Sequence, residues 1–412
     1  MDKLISFEEG LQIILEKTPT LGKITLSLRK LSGRILAEDI LTPFPLPRFD
    51  NSAMDGYAVK VRDYERASPA NPIPVKVVAT IRAGETGNQS LPPGMAIKIM
   101  TGAPIPPGAE AVVMREDVES EQGLFIIKPI KRGANIRRQG GELPENSLAL
   151  SAGTRVTPPV VGMLATLGKE RALVYKSPKA TVIITGDELQ QLGEEAVSGR
   201  IYNSNGPALE SAIRRSGVQS IKLLSCPDDE SALRRQLGMA LRNSDLIITV
   251  GGISVGDYDF VRRVANSLGV TEHLWRMAIK PGKPVYFGTF ARGKRNPVVF
   301  IGLPGNPVSA LMGFNLFART AIRKMTGDPS PAPRIAQARL ARDLRKKVGR
   351  TEFVRARLSP SDGLPSVDPV TGQESHMVSG LVQADSLIIF PKDAEFLPRD
   401  SIVDMILLEW SY

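Results

Sequence analysis

Cysteine and histidine are almost absent from this chain of 412 residues, which has one cysteine, Cys226, and two histidines. A disulfide needs two cysteines and a structural zinc site needs four Cys or His ligands, so both are excluded. A catalytic triad built on histidine is not expected either, and Cys226 precedes a proline in a predicted loop. The chemistry must therefore depend on carboxylates, lysines, arginines and backbone amides, which suit oxyanions and Mg²⁺.

Long apolar runs are absent as well. No segment reaches the roughly 18 consecutive apolar residues of a membrane span. The N-terminal sequence lacks the charged region followed by an apolar region that marks a signal peptide. We therefore predict a cytoplasmic protein that has no membrane partner.

The chain carries a formal net charge of +10, which indicates an anionic partner such as a nucleic acid, a nucleotide or a small oxyanion. The excess is concentrated in residues 334–357, where nine residues are basic and two are acidic. Aromatic residues make up only 5% of the chain, and no nucleic-acid-binding signature is present. Nucleic acid is therefore the less favoured alternative.

The chain is longer than a single core usually allows, so we expect three or four domains. Short strands separated by proline and glycine predict a β-rich domain that is inserted into a discontinuous N-terminal domain. Alternating strands and helices predict a doubly wound α/β domain, and a small β domain follows it. The predicted boundaries are 1–45 with 141–178 for the N-terminal domain, 46–140 for the inserted domain, 179–328 for the α/β domain and 329–412 for the last.

Residues 245–284 combine a buried strand, a glycine turn and two lysines. The β-branched run 246–250 predicts a strand whose end faces the ligand side of an open α/β sheet. Gly251 and Gly252 either expose backbone amides to an anion or only form a tight turn. Lys280-Pro281-Gly282-Lys283 predicts a type II turn that places two ammonium groups together, around an anion or in solvent.

Other polar loops are ambiguous when each is taken alone. Asp55 and Thr101 lie in loops of the β-rich domain, where turn or capping roles are the more common ones. Asn306 is the natural N-cap of a helix, whose exposed amides offer another anion site.

Seven motifs occur together in one order: FDNSAMDGYA, MTGAP, TGDEL, GRIYNSN, GGISVGDYDF, KPGKP and GLPGNPVS. In this order and spacing the whole chain resembles the MoeA family of molybdopterin molybdotransferases, which is also similar to the C-terminal domain of gephyrin. Set within this combination, each motif is far more specific than it is alone.

The resemblance implies that molybdate is inserted into adenylylated molybdopterin, with Mg²⁺ as cofactor, to give molybdenum cofactor and AMP. It implies an elongated homodimer of multidomain α/β plus β subunits, with a MogA-like α/β domain, an inserted β-rich domain and a C-terminal small β-barrel. The site would be shared between subunits, and contact with a MogA-type adenylyltransferase is a further partner to expect. A non-catalytic scaffold of the gephyrin type is the alternative.

The resemblance also assigns roles to single residues. Lys280 and Lys283 look like the molybdate-holding pair, beside Pro284, and Arg355, Ser375 and Arg350 are similar to residues that complete the oxyanion pocket. Catalytic roles fall to Asp55, Thr101, Glu188, Asp228 and Asp259, of which Glu188 and Asp259 would hold Mg²⁺. Substrate orientation falls to Asp187, Gly251, Gly252 and Arg276.

Two positions depart from the family pattern. Val250 stands where a hydroxyl residue commonly precedes the two glycines, which removes one phosphate contact. The C-terminal loop reads QESHM around Ser375, where Gly-Ser-His is commoner.

Overall fold

The computed structural model describes residues 4–119, 123–253, 260–408 and 410. The chain divides into two compact units. The first consists of Met1–Ala37, Gly153–Thr157 and Arg171–Tyr412, and the second of Glu38–Ala152 and Pro158–Glu170. The four predicted domain boundaries stay predictions. Within the described residues, no helix has the length and apolar content that crossing a bilayer requires.

Helices in the described residues follow the signals of the sequence. α1 begins after Ser6, whose hydroxyl accepts a hydrogen bond from the amide of Glu9 at 3.1 Å, which is the N-cap role that serine commonly plays. The helices are α1 Phe7–Lys17, α2 Pro158–Thr166, α3 Asn205–Arg215, α4 Glu230–Asn243, α5 Phe260–Ser267, α6 Pro307–Gly313, α7 Arg319–Met325 and α8 Val378–Val382, with a π-helical turn at Phe314–Ala318.

Strands account for most of the remaining regular structure. In chain order they are β1 Lys23–Ser27, β2 Ile40–Leu41, β3 Asn51–Ser52, β4 Gly56–Val59, β5 Ile73–Pro74, β6 Lys76–Ile81, β7 Met95–Ile99, β8 Ala111–Met114, β9 Val118–Glu119, β10 Phe125–Ile126, β11 Ile136–Arg137, β12 Leu148–Leu150, β13 Arg171–Tyr175, β14 Lys179–Thr185, β15 Leu189–Gln190, β16 Ile201–Tyr202, β17 Ser220–Cys226, β18 Leu246–Val250, β19 Thr271–Trp275, β20 Ile279–Lys280, β21 Tyr286–Arg292, β22 Arg295–Leu303, β23 Ile335–Leu340, β24 Leu344–Arg345, β25 Thr351–Ser359, β26 Ser366–Pro369, β27 Ser386–Phe390, β28 Phe396–Leu397 and β29 Ile402–Leu407.

A six-stranded sheet of order β17-β14-β18-β22-β21-β19 forms the centre of the first unit. The first four strands are parallel, and β21 and β19 add antiparallel pairs at one edge. Residues of β18 alternate between two apolar clusters, since Ile248 packs into one and Ile247 into the other. Both faces of the sheet are therefore covered, which confirms the doubly wound α/β prediction.

A closed barrel follows in the same unit. Its strands run β25-β26-β23-β29-β27, and pairing of β25 with β27 closes the ring around a core that includes Phe390 and Met405. Strand β20 joins this barrel by parallel pairing with β25. The predicted C-terminal small β-barrel is therefore confirmed.

The second unit is rich in short strands, as the prolines and glycines of its sequence predicted. Its largest sheet has the order β6-β7-β4-β8, and smaller sheets are formed by β5-β10-β9, β11-β3 and β12-β2. Two apolar clusters fill it, one around Tyr57 and Tyr64 and one around Ile97 and Ile99. This unit contains the predicted inserted β-rich region.

Candidate functional site

A cavity of about 810 Å³ lies at the carboxyl ends of the parallel strands β14, β18 and β22. Strand register places Ile184, Val250 and Leu303 beside one another, so the loops that follow these strands meet at one edge of the sheet. Ligands of open α/β sheets bind at such edges. The lining includes eight predicted site residues, which are Glu188, Gly251, Gly252, Lys280, Lys283, Pro284, Arg350 and Ser375.

The charged lining favours anions. Among the described residues that line the cavity, three side chains are cationic (Lys280, Lys283 and Arg350) and two are acidic (Glu188 and Glu374). Cations at the wall of a concave site attract anionic ligands more strongly than they would on a flat, fully hydrated surface. An oxyanion or a phosphate group is therefore the class of ligand that this wall suits.

The glycine turn after β18 fits only glycine. Gly251 and Gly252 have φ values of +89° and +62°, and a Cβ at Gly251 would lie 2.6 Å from the hydroxyl oxygen of Thr185. The Gly251 amide donates to the carbonyl of Leu303 at 3.1 Å. The Gly251 amide is therefore already hydrogen-bonded, and the absence of a side chain lets the backbone of this turn form part of the cavity wall.

The lysine turn is tied to the barrel. Lys280 ends β20, and its ammonium lies 2.9 Å from the carboxylate of Glu352 on β25. The Lys280–Pro281 peptide bond of the turn is cis, and Gly282 has a φ of +93°, a left-handed value that favours glycine. The predicted type II form stays a prediction. Pairing of β20 with β25 thus directs Lys280 toward an acidic partner, while Lys283 has no ion pair within the described part of the chain.

Arg355 lies beneath the loop 372–376. Only 1% of this residue is exposed, and its Nη2 donates to the carbonyls of Gly372 and Glu374. Its Nε and Nη1 are buried without a hydrogen-bond partner within the described residues. Burial lowers the pKa of Arg355, and attraction to Glu374 opposes that shift. Arg355 does not line the cavity, and its two hydrogen bonds hold the loop that carries Ser375.

Ser375 is also held by a residue with a different predicted role. Asn306 precedes α6 as its N-cap, but its Nδ2 donates to the Ser375 hydroxyl at 3.0 Å and its side chain caps nothing. The amide of Val308 donates to the Ser375 carbonyl at 3.2 Å. Both contacts seat the loop on the start of α6, within reach of the cavity.

The remaining predicted carboxylates of this unit lie apart from the cavity lining. Asp187 accepts a hydrogen bond from the Asp228 amide at 3.1 Å, and neither residue lines the cavity. Arg276, at a φ of +72°, stacks on the ring of Trp275 at 4.0 Å and is also outside the lining. Asp259 lies outside the described residues.

Cys226 takes no part in the site. Burial, together with the charges of Asp228 and Asp229, raises the pKa of this thiol to about 11. A thiolate, which is the reactive form, is therefore scarce at neutral pH.

Asp55 and Thr101 lie together in the second unit. The backbone amide and the hydroxyl of Thr101 both donate to the same Asp55 oxygen at 2.7 Å. These two bonds, with smaller contributions from Arg115 and Lys98, hold the pKa of the exposed Asp55 carboxyl below its usual value. Asp55 is therefore a fixed anion in a surface loop.

The described residues contain no cluster of three or more His, Cys, Asp or Glu side chains arranged to hold a metal ion. Mg²⁺ is commonly bound by one or two carboxylates together with substrate phosphates, and it keeps several waters. Glu188, an exposed carboxylate of the cavity lining, fits such a partial ligand set. The residues present thus suit a metal that arrives with a phosphate-bearing substrate.

Asn205 and Tyr202 are two of the cavity residues that were not predicted. Asn205 is buried, its Nδ2 donates to the Gly305 carbonyl at 2.7 Å, and its Oδ1 has no partner within the described residues. Tyr202 presents an exposed ring whose hydroxyl donates to the Glu194 carbonyl at 2.7 Å. Their position in the GRIYNSN motif was the only signal for them, because neither residue is charged.

Comparison with known proteins matches most of the chain in three separate parts. Residues 5–168 match the description "MoeA N-terminal region (domain I and II)", 181–324 match "Probable molybdopterin binding domain", and 337–408 match "MoeA C-terminal region (domain IV)".

Individual proteins match over nearly the same length. A molybdopterin molybdenumtransferase of Staphylococcus epidermidis is 34% identical over 98% of this chain and 96% of its own. One from Haemophilus influenzae is 36% identical over 89% of each chain. The crystal structure of a molybdopterin biosynthesis MoeA protein from Pyrococcus horikoshii superposes with a TM-score of 0.80 at 30% identity, covering 98% of this chain and 100% of that one.

Proposed function

Because the chain belongs to the MoeA family of molybdopterin molybdenumtransferases, we propose that it transfers molybdate to adenylylated molybdopterin and releases AMP. It is thus a transferase of molybdenum cofactor biosynthesis. The observation that carries the substrate assignment is the cationic wall of the cavity, formed by Lys280, Lys283 and Arg350 at the carboxyl ends of the parallel strands. This wall offers one place for a dianionic oxyanion and for the substrate phosphates.

The lysine turn and the loop 372–376 bind molybdate in this proposal. Molybdate is a tetrahedral dianion, and Lys283 supplies an ammonium that no carboxylate neutralises within the described part of the chain. Ser375 presents a hydroxyl to the cavity. Asn306 donates a hydrogen bond to this hydroxyl, and Arg355 holds the loop through the Glu374 carbonyl. Groups that are fixed before the ligand arrives stabilise developing charge without reorganising.

In the same proposal, the diphosphate of adenylylated molybdopterin binds at the glycine turn. Gly251 and Gly252 let the backbone approach a phosphate group closely, and Arg350 adds a cation to the same cavity. Glu188, and Asp259 outside the described residues, would hold Mg²⁺, which neutralises phosphate charge when it is bound. The protein supplies position and electrostatics, and no side chain is required to form a covalent intermediate.

The test is direct. Purified protein incubated with adenylylated molybdopterin, molybdate and Mg²⁺ should release AMP at a rate that rises with molybdate concentration and falls on chelation with EDTA. Lys283→Gln should need a several-fold higher molybdate concentration, whereas Lys222→Gln, a lysine outside the cavity lining, should behave like the wild type. Absence of molybdate-dependent AMP release from the wild-type protein would refute the proposal.

We also propose a homodimer in which each site uses residues of both subunits, with Asp55 and Thr101 acting on a substrate held by the partner's cavity. Mixing Asp55→Asn protein with Lys283→Gln protein, at a molybdate concentration too low to support the Lys283→Gln site, tests this sharing. In a mixed dimer one of the two sites would regain both native residues, so random exchange should restore about a quarter of wild-type activity. Sites built from one subunit would give no recovery.

A further inference from the structure

Glu352 lies behind the cavity wall. It is the second residue of β25, and strand register pairs it with Lys280 of β20 across a parallel pair. The Thr351 amide donates to the Ala278 carbonyl at 2.8 Å, so the backbone of the two strands is fixed at this point. Glu352 is therefore placed by the fold beside the lysine turn and outside the cavity lining.

The carboxylate of Glu352 is well shielded while its partner is open to solvent. Its side chain is 15% exposed, whereas that of Lys280 is 49% exposed, and the two charged groups are 2.9 Å apart. The ammonium of Lys280 thus contacts the carboxylate of Glu352, while Lys280 also lines the cavity. Any anion in the cavity shares Lys280 with Glu352.

The other charged groups around Glu352 are few. Lys346 lies over the ring of Phe390 at 4.9 Å, and Phe390 is the register partner of Glu352 on β27. Burial lowers the pKa of Lys346, attraction to Glu352 and Asp393 opposes that shift, and repulsion from Lys280 adds to it. Glu352 therefore stands between two lysines, only one of which lines the cavity.

We propose that Glu352 is a positioning residue that holds the Lys280 ammonium at the cavity wall and sets how tightly the cavity binds a dianionic oxyanion. It fixes the direction of the ammonium by hydrogen bonding, and its negative charge weakens the attraction of the lysine pair for the anion. This inference rests on the proposed function, because it assigns the oxyanion to Lys280.

Replacement of Glu352 by glutamine separates these two effects. Glutamine keeps an oxygen that accepts from Lys280 and removes the charge. A partly exposed ion pair is worth about 0.2–1 kcal/mol, so molybdate should bind about 1.4-fold to fivefold more tightly to Glu352→Gln. Direct titration calorimetry at low ionic strength measures this change without any turnover.

The charge of the ligand distinguishes electrostatics from a change of shape. Perrhenate is a tetrahedral oxoanion like molybdate but carries one negative charge. Coulomb energy is proportional to ligand charge, so the gain for perrhenate should be about the square root of the gain for molybdate. An equal gain for both anions would indicate a change in cavity shape and would overturn the proposal.

Two control comparisons complete the experiment. In a Lys280→Gln background, Glu352→Gln should leave molybdate affinity unchanged, because the residue through which it acts is gone. Glu230→Gln removes an acid of a surface ion pair outside the cavity lining, with the same change in net charge, and should leave affinity unchanged. Thermal unfolding should confirm that each variant is folded.

The outcomes separate this inference from the proposed function. If wild-type protein binds molybdate and Lys280→Gln weakens binding, but Glu352→Gln matches the wild type, only the role of Glu352 is refuted. If the tightening persists without Lys280, that role is refuted as well. If the wild type binds no molybdate, both proposals fail.

Discussion

Replacement of Arg355 by methionine should impair the site while leaving global stability almost unchanged. The guanidinium donates to two loop carbonyls, those of Gly372 and Glu374. Hydrogen bonds made by a charged group contribute about 1.5–3 kcal/mol each, so their loss alone would cost about 3–6 kcal/mol.

The opposite contribution is of similar size. Nε and Nη1 of Arg355 are buried without partners in the described residues, and each such donor costs about 1–3 kcal/mol or more. Methionine fills much of the same volume and removes both unpaired donors. We therefore expect the free energy of unfolding to change by no more than about 2 kcal/mol, since the two contributions nearly cancel.

The loop 372–376 should nevertheless loosen. It keeps the amide of Gln373, which still bonds the backbone of Arg355 at 3.0 and 2.8 Å, but it loses the two guanidinium contacts. The Val308 amide, which donates to the Ser375 carbonyl, should exchange with solvent about tenfold faster, and molybdate affinity should fall. Urea unfolding, hydrogen exchange and calorimetry measure the three quantities.

Arg357→Met is the matched control, because Arg357 is an exposed arginine on the same strand. It should change neither loop exchange nor affinity. A loss of more than about 4 kcal/mol in Arg355→Met would show that the guanidinium supports the whole barrel. Unchanged exchange at Val308 would show that it does not hold the loop, and either result would refute the reasoning.

Three other predictions follow from single contacts. Asp328→Asn should lower the free energy of unfolding by about 3–5 kcal/mol, because the Asp328 carboxylate, with 7% of its side chain exposed, pairs with Arg323 and Arg155 at 2.9 and 2.7 Å. Burial raises the pKa of the Asp328 carboxyl, but hydrogen bonds from the Ser330 amide and Arg323 outweigh burial, so the pKa lies below its usual value. The stabilisation by this carboxylate is therefore present above about pH 3.9 and is lost as pH falls through the folded-state pKa. Urea titrations of the wild type and the variant should converge across that range. Asn205→Ala should weaken binding of adenylylated molybdopterin about fivefold to tenfold in calorimetry while molybdate affinity stays the same, and an equal loss for both ligands would contradict a role in holding the organic substrate. Cys226 should react with Ellman's reagent only after urea unfolds the chain, since it is buried and its pKa is about 11; rapid reaction of the folded protein would show that the strand end opens.

Local patterns predicted the elements of the fold well. The β-branched run from Leu246 to Val250 forms a central strand because burial on both faces needs apolar residues at every position. Ser6 caps α1 because its partner, the Glu9 amide, is three residues away in the chain. A small β domain was also predicted after the α/β domain, while its closure by β25 and β27 depends on pairing that the sequence does not display.

The site was predicted less completely, because its contacts join distant residues. Lys280 and Glu352 are 72 positions apart, and Asn306 and Ser375 are 69 apart. A local rule predicted Asn306 as the N-cap of α6, which is its position in the structure, but that rule does not show that its Nδ2 donates to the Ser375 hydroxyl. Arg355 was predicted to complete the oxyanion pocket, and that role stays a prediction. The structure adds that its buried side chain donates to the loop 372–376, which a local pattern cannot show.

Pairing of β20 with β25 has a consequence for any exchange of the barrel between relatives. The lysine turn and the barrel are parts of one hydrogen-bonded surface, and Phe353 of the barrel packs into the same apolar cluster as Ile279. If the barrel of one relative replaced that of another, residue 352, which carries the charge that pairs with residue 280, would be replaced with it. We expect functional chimeras to tolerate crossover points only where residues 280 and 352 come from the same parent, so these positions should be inherited as a pair.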